Sequence, residues 1–200
     1  MLRLREIAEI PSVLTWGTKL PDGSRLLVRP LGFGDMEGLA GFLEGLSPES
    51  RRFSTFGGYD VEAAREMCAA IARFDKLRLV LETPTARIVG LLEFSLALTD
   101  ADVARYRAAG IRLAETDCRF GPTLADDHQG HGVGTAVFPF VREVARRLAR
   151  TRIILWGGVL TDNRRAIRFY EKTGFRPVGT LTGTDGTSSL DMILDLLERP

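Results

Sequence analysis

One short segment constrains this chain most: Leu124-Ala-Asp-Asp-His-Gln129-Gly130-His131-Gly132-Val133-Gly134, where a strand-like run enters a glycine-rich turn and a helical pattern follows. Glycine admits positive φ and lets another molecule approach the backbone closely. The first amides of the following helix lack helical partners and point outward with the positive end of its dipole. Such a turn suits a phosphate or pyrophosphate, though it also serves as a plain tight turn. Spacing narrows the choice. Gly130, Gly132 and Gly134 fall at every second position, which does not fit the G-x-G-x-x-G of a dinucleotide site. No Lys follows Gly134, so the P-loop pattern fails too. The pattern that fits is Q/R-x-x-G-x-G/A, met by Gln129, Gly132 and Gly134.

The remaining pattern supplies a scaffold. Met1 to Gly23 reads as an arm punctuated by Pro11 and the Pro21-Asp22-Gly23 turn, and residues 24–200 as a single domain. Ser24 to Pro30 is a predicted strand, followed by helices capped by Asp35, by Ser47 (with Pro48 at the first position) and by Asp60. Leu77 to Leu81 and Ala86 to Leu98 form a hairpin about Thr83-Pro84-Thr85. Thr99 or Asp100 opens an inserted helix ending at Gly110, and Arg112 to Leu124 is a strand interrupted near Gly121-Pro122. After the glycine turn a helix runs to about Arg150, where Pro139 predicts a kink. Ile153 to Leu160 is a buried strand, Asp162 or Asn163 caps a helix to Thr173, and Phe175 to Leu181 pairs with Ser189 to Leu194. Hairpins mixed with strand-helix-strand units indicate an α/β or α+β sheet carrying helices.

Composition closes off several function classes. The 200 residues carry 27 basic and 26 acidic side chains, a formal net charge of +1, which argues against general attraction to nucleic acid or to a membrane surface. Apolar residues at 44% and charged residues at 26% are ordinary for a globular chain. Two cysteines and two histidines, without zinc spacing, indicate neither a disulfide framework nor a metal site. The N-terminus is a poor signal peptide and the apolar runs are too short to span a bilayer, so a cytoplasmic protein is expected.

A second motif follows the turn: Asn163-x-x-Ala166-x-x-Phe169-Tyr170-x-x-x-Gly174-Phe175. Ala166, Phe169 and Thr173 share one helix face, and Gly174 stops the helix. The first motif closely resembles the coenzyme A pyrophosphate loop of the GNAT superfamily of N-acetyltransferases. The second resembles that superfamily's N-x-x-A-x-x-F/L-Y-x-x-x-G-F signature almost position for position. The pair, in this order, is far more specific than either alone.

The resemblance implies a mixed, mainly antiparallel central sheet flanked by helices, and an acetyl-CoA-dependent N-acetyltransferase without a metal. It implies that the backbone of Thr123, Leu124 and Ala125 holds the pantetheine arm. The turn residues Gln129, Gly130, His131, Gly132, Val133 and Gly134, with Asn163, contact the rest of the coenzyme. Tyr170 matches the tyrosine that protonates the leaving thiolate. Glu93 and Asp117 are the candidate bases, although each is also an ordinary candidate for a solvated or ion-paired side chain. The acceptor is an amine on a small molecule or a protein, and exposed sheet edges allow a homodimer. The alternatives are an acyl-CoA-binding sensor without turnover, transfer of a longer acyl group, and a nucleotide site at the same turn.

Overall fold

The computed structural model describes residues 1–183 and 185–196. Among the described residues nine strands form one sheet. Strands β1 (Trp16–Lys19), β2 (Arg25–Pro30), β3 (Lys76–Glu82), β4 (Ile88–Ser95) and β5 (Asp117–Leu124) are antiparallel neighbours in chain order. Strand β6 (Arg152–Leu155) then lies parallel to β5. Strands β7 (Val159–Leu160) and β8 (Arg176–Thr182) each pair antiparallel with β9 (Ser188–Asp195), which also pairs with β6. The sheet is therefore mixed and mainly antiparallel, as the family resemblance implies. Its helices are α1 (Leu4–Glu9), α2 (Met36–Glu44), α3 (Pro48–Arg52), α4 (Val61–Ala69), α5 (Asp100–Ala108), α6 (Val133–Arg147) and α7 (Arg164–Lys172).

Burial explains the patterns. Every residue of β4 is buried, because it runs mid-sheet with both faces covered; its sequence is accordingly a near-continuous apolar run. Helix α6 buries Val133, Val137, Phe138, Val141, Val144 and Ala145, a helical spacing that defines one core-facing side. Pro139 lies inside α6 at an exposed position, and the helix carries on through it to Arg147, although proline has no N–H to give the Thr135 carbonyl. Helix α5 is opened by a capping box between Thr99 and Asp102 and covers a small second core of Tyr106, Ile154 and Ile193. Asp35 precedes α2 without capping it. Its carboxylate accepts from Gly32 N–H at 2.7 Å and pairs with Arg29, two donors that outcompete the helix amides.

Three segments depart from expectation. Residues 1–23 are not a separate arm: they form α1, a 3₁₀ turn at Pro11–Leu14 and β1, and they bury Ile7, Leu14 and Leu20. Leu2 N–H donates to the Arg147 carbonyl at 2.8 Å, and the Trp16 ring meets Phe140 of α6 edge-on at 5.0 Å. The strand expected to begin at Arg112 begins at Asp117 and runs unbroken through Gly121-Pro122. The strand expected over 153–160 breaks at Trp156–Gly158, where Gly157 and Gly158 adopt φ of +74° and +76°. Among the described residues no helix is long and apolar enough to cross a membrane.

Candidate active site

The sheet opens where β6 leaves β5. Strand β6 follows β5 only over Asp117 to Phe120, whereas β4 stays paired with β5 to Leu124. The carbonyls of Thr116 and Phe120 accept from the N–H groups of Thr151 and Trp156, each at 2.9 Å. Backbone alternation then aims the even-numbered residues of β5 toward β6. Among the described residues nothing continues that ladder past Leu155, so Pro122 and Leu124 face a gap. Pro122 has no N–H to leave unpaired there, while Leu124 keeps one. Thr123 is paired in register with Leu91 of β4, and Ala125 N–H donates to the Val89 carbonyl at 2.9 Å. Of the three residues expected to hold a ligand through backbone, Leu124 alone presents an N–H to the gap.

The gap opens into a cavity of about 500 Å³. Among the predicted site residues, Glu93, Thr123, Leu124, Gln129, Gly130, Gly132, Val133, Gly134, Asn163 and Tyr170 line it. Asp117, Ala125 and His131 do not. Gly130 and Gly132 have φ of +82° and +79°, and Gly132 begins the 15-residue α6 without a side-chain cap. The first α6 amides are thus left for an anion, with the helix dipole behind them. Gly134 is required for another reason. A Cβ there would lie 2.9 Å from the Phe169 ring, so its absence lets α6 and α7 approach closely.

Helix α7 carries the second motif. The Asn163 carboxamide oxygen accepts from Ala166 N–H at 3.1 Å and starts the helix. Gly174, at φ +96°, ends it, and Phe175 turns inward. Tyr170 packs between Phe169 and Phe175, each ring centroid 5.2 Å away, with 7% of the residue exposed. Among the described residues no hydrogen bond reaches its hydroxyl, and desolvation alone acts on it. Burial pushes its ionisation above the ordinary tyrosine value, so it stays protonated at neutral pH.

The acidic candidates separate. Glu93, in register with Gly121, is buried and accepts from Arg78 Nε at 2.8 Å; it lines the cavity. Asp117 sits at the far end of β5, where its carboxylate accepts from Ala114 N–H at 2.9 Å and lies 3.6 Å from Arg152. Strand parity puts the two acids on one face, but not at one end of it. Burial raises the Asp117 carboxyl and pushes the Cys118 thiol up to about 12, which leaves Cys118 a poor nucleophile. His131 is exposed, and His128 pairs through Nδ1 with Asp127 at 2.8 Å. Among the described residues no group of three or more His, Cys, Asp or Glu is placed to hold a metal.

The cavity also takes Ser50 and Arg52 to Thr55 from the end of α3, and Trp156 from the break after β6. The sequence reading missed these. Ser47-Pro48-Glu49-Ser50 signals a helix start, which it is, but nothing local says that the helix faces the glycine turn. The Gly157-Gly158 pair does signal a strand end.

Residues 87–175 match the Acetyltransferase (GNAT) family. A curated acetyltransferase of Pseudomonas aeruginosa is 30% identical over 132 residues, which cover 66% of this chain and 66% of that protein, just short of two thirds of its length. The fold is similar to that of the GNAT domain of S. lividans PAT, with a TM-score of 0.68 and 23% identity over 92% of this chain and 98% of that one. It is also similar to AAC(6')-Ib, solved in complex with ribostamycin and coenzyme A, with a TM-score of 0.66 and 20% identity over 85% and 93% of the two chains.

Proposed function

Because the chain belongs to the GNAT acetyltransferase superfamily, we propose that it moves an acetyl group from acetyl-CoA to a primary amine by direct attack. The observation that carries this reading is the Tyr170 hydroxyl, held protonated in the same cavity as the glycine turn and the open edge of β5. The unpaired amides at the start of α6 hold the pyrophosphate, and Leu124 N–H takes the pantetheine arm or the thioester oxygen. The amine nitrogen bonds to the thioester carbon, the carbon–sulfur bond breaks, and Tyr170 gives its proton to the thiolate. The ammonium proton leaves to Glu93, directly or through water.

One observation favours a second reading, a coenzyme sensor. Among the described residues Glu93 is the only carboxylate lining the cavity, and Arg78 engages it. Thiol release from acetyl-CoA, measured over a panel of monoamines, polyamines, amino acids and peptides, separates the two. Transfer predicts release above the hydrolysis blank with at least one amine and a matching acetylated product by mass spectrometry. Coenzyme binding without release for any amine class contradicts transfer and leaves the sensor.

A further inference from the structure

The wall of the cavity formed by α3 and Arg52 to Thr55 is tied to the glycine turn by side chains. Ser47 donates to Asp126 twice, from N–H to Oδ2 at 2.9 Å and from Oγ to Oδ1 at 2.6 Å. Ser50 Oγ donates to Asp126 Oδ1 at 2.7 Å. Gln129 Nε2 donates to Ser50 Oγ and to the Leu124 carbonyl, each at 2.9 Å, and Gln129 Oε1 accepts from Arg165 of α7. A continuous chain of hydrogen bonds therefore runs from α3 through Asp126 and Ser50 to Gln129, the open edge of β5 and α7. Capping does not require it, because Ser47 Oγ already accepts from Ser50 N–H at 3.2 Å. A five-residue helix has few contacts of its own, so such ties decide where it rests.

We propose that Asp126 and Ser50 are positioning residues that couple occupancy of the glycine turn to the wall at Arg52–Thr55, so that bound coenzyme sets this wall before the acceptor arrives. This rests on reading the cavity as a coenzyme A site. A ligand that fixes the turn fixes Gln129, whose amide holds Ser50, which in turn is held by Asp126. Coupling is reciprocal, so the set wall also slows coenzyme release.

Hydrogen exchange on the full chain, with and without saturating coenzyme A, tests it. In the unsubstituted protein, coenzyme A slows exchange over both 129–136 and 47–56, by about fivefold or more. In Ser50→Ala it slows exchange over 129–136 alone, and Ser50→Thr, which returns the hydroxyl, restores protection of 47–56. Asp126→Asn, which sets an amide against Ser47 N–H, is measured alongside and behaves as Ser50→Ala. Equal protection of 47–56 with and without the Ser50 hydroxyl overturns the proposal, since the ligand then covers the wall directly. Protection of 129–136 without 47–56 in the unsubstituted protein overturns it as well. Protection of neither segment overturns the coenzyme reading itself, so the two failures are distinguishable.

Discussion

Tyr170→Phe lowers kcat by about 10²- to 10⁴-fold, the usual span for loss of a general acid, and leaves coenzyme affinity within a few-fold. The substitution removes one oxygen and keeps the ring between Phe169 and Phe175. No hydrogen bond reaches that oxygen among the described residues, so its loss orphans no buried group and the fold survives. The pH profile carries the sign. An acid must be protonated to act, and burial pushes this hydroxyl above its ordinary value of 10.0. The kcat of the unsubstituted protein therefore shows no fall assignable to Tyr170 below pH of about 10. Steady-state kinetics on both proteins from pH 6 to 10 check this, and a Phe variant within twofold of the parent removes Tyr170 from the chemistry.

Gly134→Ala has the second large effect, on stability and turnover together. The new Cβ would stand 2.9, 3.2 and 3.3 Å from three atoms of the Phe169 ring. The ring cannot retreat easily, because Phe138 lies 5.8 Å and Tyr170 5.2 Å from it, centroid to centroid. Overpacking of this kind costs about 1–3 kcal/mol, or about 2–12 °C in Tm for a chain of this size. Relief comes by moving α7 from α6, which carries Tyr170 away from the cavity and lowers kcat as well. Gly41→Ala is the contrasting control. It lies within α2, nothing stands within 4 Å of its Cβ, and helix propensity favours alanine by about 1 kcal/mol. Melting curves showing equal losses for the two variants contradict the close approach of α6 and α7.

What the sequence made legible was local. Ser47, Asp60, Thr99 and Asn163 each cap the helix that follows, because a cap and its amide lie within three residues. The glycine turn and the Gly174 stop were readable for the same reason: positive φ is a property of one residue. The misses are tertiary. Strand β1 is four residues long with largely exposed side chains, so it shows no alternation, and pairing with β2 decides it. The parting of β5 and β6 depends on Gly157-Gly158 sending the chain toward β9. Asp117 shares a strand face with Glu93, but its distance along β5 from the cavity follows only from the register with β4 and β6. Nothing local in Asp126 or Ser50 indicates that they meet, since they stand 76 positions apart.

The most direct test of a coenzyme A site at the glycine turn is thermal unfolding with acetyl-CoA, coenzyme A, ATP and NADPH, on the parent and on Gly132→Trp. Ligand at about 100 times Kd stabilises the native state by about 2.7 kcal/mol, or about 5–11 °C here. The indole has no room: Gly132 holds φ +79°, and even a Cβ would meet Pro21 at 3.0 Å. The predicted result is a shift with acetyl-CoA and coenzyme A in the parent that disappears in Gly132→Trp, each shift read against that protein's own ligand-free Tm. No shift with either coenzyme species at saturation, or a shift with ATP or NADPH alone, contradicts it.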